Sequence, residues 1–160
     1  MKIVRKLYSL KSGVLSALML IAGLPSMAQL PDPTTWTYDL VKAQKGEVDF
    51  KFNVKLQKGW HIWSIHPGGD GTLIAPSFTF EKKADFQLQG DIKEIGKMHT
   101  DTLEGIEGKV NYYSDTVSYV QHILIMGKSD TLTVTHQYQV CNNQMCLPPK
   151  DLKFTFIVTP

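Results

Sequence analysis

Thr131-Leu132-Thr133-Val134-Thr135-His136-Gln137-Tyr138-Gln139-Val140 alternates apolar and polar side chains from end to end. Successive residues of a strand point to opposite faces, so Leu132, Val134, His136, Tyr138 and Val140 share one face. That period predicts a half-buried β-strand. Val48, Phe50, Phe52, Val54 and Leu56 repeat the pattern in the first half of the chain. Further strands are predicted at 36–44, 60–65, 77–80, 110–113, 117–126 and 154–158, with weaker ones at 86–88 and 92–95. The breaker cluster Pro67-Gly68-Gly69-Asp70-Gly71 predicts a loop. So does 99–109, and 30–35 reads as a mobile Pro-rich lead-in. No helical stretch of ten residues and no internal repeat follows that lead-in. Many short strands at regular spacing predict an all-β fold, an immunoglobulin-like antiparallel β-sandwich. The inter-sheet Cys…Trp…Cys spacing of antibody domains is absent.

The predicted strand at 131–140 runs into Cys141-Asn142-Asn143-Gln144-Met145-Cys146-Leu147-Pro148-Pro149, which holds both cysteines of the chain. A disulfide between them closes a small ring, and the chain-entropy model gives it roughly 2 kcal/mol, against about 4.7 for a hundred-residue loop. Such a bridge is a weak staple and a well-placed reversible two-electron switch. A structural disulfide tightening a hairpin is the other reading of the spacing. Zinc is disfavoured, because structural sites use four Cys or His ligands and no His pair of the right spacing follows. Parity puts Cys141 on the polar face of its strand, pointing away from the core that takes Val134 and Val140. Pro148-Pro149 cannot donate ladder hydrogen bonds and places the next strand at a sheet edge, leaving the cysteine hairpin open to a partner.

The N-terminus sets the expected compartment. Lys2, Arg5, Lys6 and Lys11 precede an apolar run over 13–24, and small residues before Gln29 suit cleavage. Residues 1–28 therefore read as a signal peptide, 29–160 as the exported domain, and the absence of a cysteine after the apolar run argues against a lipid anchor. In an oxidising compartment two cysteines this close tend to pair. The segment 1–28 carries 4 of the 17 Lys+Arg and no acid, so the remainder has a formal charge of 13 − 15 = −2. A weakly acidic domain without arginine is a poor nucleic-acid binder. No Gly-rich phosphate loop opens a helix and no nucleophile motif is present, so hydrolase and nucleotide-binding readings have no residues.

The chain resembles the N-terminal periplasmic domain of DsbD-type thiol:disulfide interchange proteins, from about Trp36 to Val158. The resemblance is carried by Gly59-Trp60-His61-Ile62-Trp63, Gly108-Lys109-Val110-Asn111-Tyr112-Tyr113-Ser114-Asp115, Thr131-Leu132-Thr133-Val134-Thr135, and the Cys…Cys-x-Pro-Pro ending at Cys141–Pro149. It implies an immunoglobulin-like sandwich that exchanges disulfides without a cofactor or metal. Electrons would come from a thioredoxin-like donor fed by a membrane electron carrier. They would pass to oxidised exported proteins of the disulfide-isomerase or cytochrome c maturation type. Since the sequence stops at Pro160, that donor and carrier are expected on separate polypeptides. The best-known members have five residues between the cysteines, whereas this chain has four.

By the same resemblance Cys146 would form mixed disulfides with partners and Cys141 would resolve them. Within 101–108 a cap over the site is implied, with Ile106 as the capping side chain and Leu103 as the other apolar residue. An ordinary surface loop with an apolar anchor has the same composition. Trp60 and Trp63 have opposite parity, so one is expected in the core and the other lining the site. His61 and His66 face opposite ways on a straight strand and cannot share a metal. His136 reads as a packed core-edge histidine, and Lys150 is the only cation near the cysteines. A non-redox binding or assembly module, its hairpin held by a structural disulfide, is the competing function.

Overall fold

The computed structural model describes residues 32–44, 46–81, 85–127 and 130–158. The expected signal peptide and the Leu30-Pro31 start of the lead-in lie outside the described residues. Described strands are β1 (Thr34–Gln44), β2 (Glu47–Leu56), β3 (His61–Gly68), β4 (Ser77–Phe80), β5 (Phe86–Gly96) and β6 (His99–Thr102). They continue with β7 (Lys109–Tyr113), β8 (Thr116–Ile125), β9 (Asp130–Tyr138), β10 (Val140–Cys141) and β11 (Lys150–Val158). All pairings are antiparallel, in three sheets ordered β1-β2-β8-β5, β10-β3-β7-β6 and β11-β9-β4. The first sheet faces the other two across one core, an immunoglobulin-like antiparallel sandwich.

The alternation read from the sequence builds that core. Val48, Phe50, Phe52, Val54 and Leu56 of β2 are buried, as are Val117, Tyr119, Ile123 and Ile125 of β8. Phe50 sits 5.1 Å from Phe156 of β11, and Phe52 sits 4.8 Å from Phe78 of β4, joining the layers through aromatic pairs. Gln121 occupies an inward position of β8 and is buried. Its amide donates to the carbonyls of His122 (2.9 Å), Gly90 (3.3 Å) and Gln89 (3.4 Å). Two of those acceptors lie where β5 shifts register between Gln89 and Lys93, so the polar side chain satisfies backbone groups that the ladder leaves free.

Several boundaries differ from the sequence reading. The two weak strands at 86–88 and 92–95 are one strand, β5, carried through its irregularity by Gly90 at φ 67°. Residues 99–102 pair with β7 as β6 rather than forming loop, and β3 runs on into Pro67 and Gly68 of the breaker cluster. The described part of the lead-in is tied down. Pro33 accepts the Gln57 N–H at 2.8 Å, and Asp32 accepts from the Tyr138 hydroxyl and Lys150 Nζ, both at 2.8 Å. Burial opposes ionisation of Asp32, but these bonds and those from Thr34 hold its carboxyl below the usual range. The expected edge position of the strand after Pro148-Pro149 holds: β11 is outermost in its sheet.

His136 is 0% exposed, stacked at 4.2 Å on Phe78, with Nδ1 3.0 Å from the Ser77 carbonyl oxygen. Burial pushes its pKa down from 6.5 to about 4. Above pH 6.5 the ring is neutral in folded and unfolded chains alike. As pH falls towards 4 the unfolded chain takes up a proton that the folded one refuses, so stability drops; below 4 the loss levels off. The expected cost across that window is about 3 kcal/mol. Replacing the ring by phenyl, His136→Phe, should flatten this slope in urea unfolding curves taken at several pH values. The same slope in the variant would place the titrating group elsewhere.

Candidate functional site

The cysteine hairpin forms where the chain changes sheets. β9 pairs with β4 and β11 as far as Tyr138, and after Gln139 the two residues of β10 pair with β3 in the neighbouring sheet. Alternation persists across the switch: Tyr138 and Val140 enter the main core, and Cys141 faces the opposite side. Cys141 and Cys146 form a disulfide. The Asn142 N–H donates to the Met145 carbonyl at 2.8 Å, and the Leu147 N–H donates to the Val140 carbonyl at 2.9 Å. The cysteines are therefore a non-hydrogen-bonded pair, the register in which opposed side chains approach most closely. Asn142 Oδ1 accepts the N–H groups of Gln144 and Met145, both at 2.8 Å, and shapes the turn between them. Leu147, buried in the main core, anchors the returning strand.

On the outer face of the β10-β3-β7-β6 sheet, Cys141 stands opposite His61, Trp63 opposite Tyr112, and Tyr112 opposite His99. Cys141 is 2% exposed and clusters with buried Trp63 and Val110, against which Leu73, Leu103, Ile106 and Tyr112 pack. The parity reading therefore needs a correction. Cys141 does face away from the main core, but its face is covered by apolar side chains instead of being polar. Cys146 is exposed, next to Met145 at 44% exposure.

The covering segment is 103–108, and the breaker cluster is its foundation. Gly69 takes φ 70°, and a Cβ there would lie 3.0 Å from Ile106 Cγ2 and 3.3 Å from Val110 Cγ1, so the close approach of Ile106 needs glycine. Its N–H donates to the Lys109 carbonyl at 2.9 Å. The Asp70 carboxylate accepts from the Thr72 hydroxyl and N–H and from the Glu107 N–H, and these bonds lower its pKa. Within the segment, the Ile106 N–H donates to the Leu103 carbonyl at 3.3 Å.

Trp63 is the tryptophan beside the cysteine; Trp60 packs partly against the main core and lines an adjoining groove of about 200 Å³. That groove also takes in His61, His99, Leu103, Tyr112 and Asn143. His61 lies 4.8 Å from the Trp63 ring and 5.1 Å from Tyr112, and burial pushes its pKa down. No group of three metal-ligating side chains exists among the described residues. The two basic groups closest in sequence to the cysteines are engaged elsewhere: His136 is in the core, and Lys150 pairs with Asp32. A larger cleft of about 450 Å³, lined by Asp49, Lys93 and His122, carries neither cysteine. Sequence reasoning weighed His61 only as a metal ligand and missed Tyr112 and Asp70. Their places depend on which strands pair, and the spacing of residues along one strand does not contain that.

Fold and site together define an immunoglobulin-like β-sandwich domain with a half-shielded cysteine pair on a hairpin at a sheet edge. The chain belongs to the family of the thiol:disulfide interchange protein DsbD, N-terminal domain, whose sequence profile matches residues 27–157. The N-terminal periplasmic domain of ScsB from Proteus mirabilis superposes with a TM-score of 0.59 at 19% identity, over 78% of this chain and 46% of that one. The reduced DsbD N-terminal domain of Neisseria meningitidis does so with a TM-score of 0.52 at 16% identity, over 78% of this chain and 86% of that one. The chain thus spans less than half of the ScsB structure. No curated protein matches at a significant level.

Proposed function

We propose that this domain is an exported thiol:disulfide exchange relay in which Cys146 meets partners and Cys141 resolves the mixed disulfide. The observation that carries this reading is the asymmetry of the pair: Cys146, on the returning side of the hairpin, is exposed while Cys141 opposite it is 2% exposed. Thiolate attack needs an open line to the sulfur, so intermolecular exchange goes through Cys146. Cys141 then needs to reach only its own neighbour. The suited donor is a thioredoxin-like protein fed from a membrane carrier, and the acceptors are oxidised exported proteins. Membership of the DsbD N-terminal family supports the exchange chemistry. An exported site of action rests on the charge and hydropathy of residues 1–28, and on the periplasmic placement of the related ScsB domain. Ile106 and Leu103 act as the cap, shielding Cys141 from chance thiols until a partner displaces them.

Cys141→Ser should trap a mixed disulfide with an exported thioredoxin-like protein through Cys146, seen as a reductant-sensitive adduct by mass spectrometry. Trapping only in Cys146→Ser would reverse the two roles. A wild-type bridge inert to every thioredoxin-like donor would leave the hairpin a structural element of a binding module.

For the cap, Ile106→Gly should speed reduction by a small dithiol about tenfold, equivalent to about 1.4 kcal/mol of lost shielding. Its melting temperature should fall by no more than ~4 °C. An unchanged reduction rate with a large loss of stability would make Ile106 a core residue.

A further inference from the structure

Two buried polar atoms beside Cys141 lack hydrogen-bond partners among the described residues: Trp63 Nε1 and His61 Nε2. Both side chains lie on β3 and share the outer face of its sheet with Cys141 of β10, His61 directly across the ladder and Trp63 one step diagonal. Trp63 and Cys141 belong to one buried cluster, and the His61 ring rests 4.8 Å from the indole. The other unpartnered atoms, on Trp36, Tyr119 and His136, belong to the aromatic cluster of the main core. Buried polar groups are nearly always paired, so two orphans against one cysteine call for an acceptor that appears in another state of the protein. A disulfide sulfur is a weak acceptor, whereas a thiolate is a strong one and gains charge-assisted hydrogen bonds.

We propose that the indole N–H of Trp63 and the ring N–H of His61 form a neutral two-donor site for the Cys141 thiolate. The site is filled only when the bridge opens. This rests on the exchange chemistry proposed above and specifies how its buried half is served. A partner thiolate attacks Cys146 Sγ, a new sulfur–sulfur bond forms there, and the Cys141–Cys146 bond breaks. Its electron pair stays on Cys141 Sγ, which becomes a thiolate in an apolar cluster. Burial by itself would drive that sulfur to take up a proton, and a thiol resolves a mixed disulfide poorly. Hydrogen bonds from Trp63 and His61 hold it as the anion while the second thiolate of the thioredoxin-like donor attacks its own mixed-disulfide sulfur and releases the reduced domain. Cys146 then attacks an oxidised partner, and the Cys141 thiolate attacks Cys146 Sγ of that new mixed disulfide, re-forming the bridge and expelling the reduced partner.

The surrounding charges leave this work to neutral donors. Tyr112 approaches from β7 with its hydroxyl donated to Asp101 of β6, and His99 of β6 is bonded to Ser114. Glu104 and Glu107 are the ionisable groups of the covering segment, and Lys109 at its end is exposed. Asp101, Glu104 and Glu107 are anions and would disfavour a thiolate. His61 is held neutral by burial, so it offers one N–H and no charge.

The test titrates Cys141 as the single thiol of Cys146→Ser, following the ultraviolet absorbance of its thiolate against pH. Adding Trp63→Phe or His61→Phe should each lower the acid dissociation constant about tenfold, the scale of one hydrogen bond to a charged group. His61→Gln, which keeps an N–H, should recover most of the loss. Constants within about threefold of the parent, or equal effects of His61→Phe and His61→Gln, overturn the proposal. Where a variant does not fold, the chemically reduced wild-type protein gives the answer by NMR. The Trp63 indole proton should move downfield on reduction and follow the Cys141 titration, and one that does neither overturns the proposal. Because this reduction is chemical, a failure of the donor site is read separately from a bridge that no thioredoxin-like protein reduces.

Discussion

Between Tyr138 and Val140 the chain leaves one sheet and joins another without losing its two-residue alternation, and the geometry of the cysteine pair follows from that constraint. Tyr138 and Val140 must both enter the core, because each is buried against it. Cys141 is then obliged to face outward on the second sheet, opposite His61. A one-residue slip would exchange Val140 for Cys141 in the core and leave a valine beside Cys146. Burial of Leu147 on the return strand and the Asn142 turn fix the register from the other side.

An outward-facing cysteine would ordinarily meet water. Here the outer face of its sheet carries a second, smaller apolar cluster, and a loop from between β6 and β7 closes over it. That loop has little hydrophobic area of its own and depends on the glycines and Asp70 beneath it. The Lys109 and Glu107 backbone bonds tie the two segments together. Below this layer, Glu94 of β5 accepts from the Ser64 hydroxyl at 2.7 Å and the Ile65 N–H at 2.9 Å. Those bonds hold β3 just past Trp63, where its pairing with β7 shifts register. Burial, with the charge of Glu94 beside it, raises the Tyr113 pKa to about 12, so the hydroxyl stays protonated and available to donate.

Electrostatically the site is spare. Among the described residues no helix terminus points at the sulfurs, and the cation closest to them in sequence is committed to Asp32 at the base of the hairpin. Asp32 links the start of β1 to the end of β9 and the start of β11, bracing both strands that frame the hairpin. No neighbouring cation is arranged to activate either sulfur, and the two differ chiefly in how open they are to solvent.

Most of the strands, their inward faces, the sandwich class and the pairing of Cys141 with Cys146 were legible in the sequence. Each rests on local information: alternation over ten residues, breaker clusters, and two cysteines four residues apart. His136 was recognisable as a core residue by the same parity. Parity also named the face of Cys141 correctly and its surroundings wrongly, because alternation gives a direction and does not say what lies there. The resemblance had pointed to Leu103 and Ile106 over the site, but only the tertiary structure could join Leu73 and Val110 to them around Cys141, since these residues come from separate stretches. The tertiary structure also turned Pro67-Gly68-Gly69-Asp70-Gly71 from a simple loop into the footing of that cover, and set His61 and Trp63 beside the sulfur. Those contacts are pairings between distant strands, whose register is settled by burying one common core, and no window of neighbouring residues encodes them.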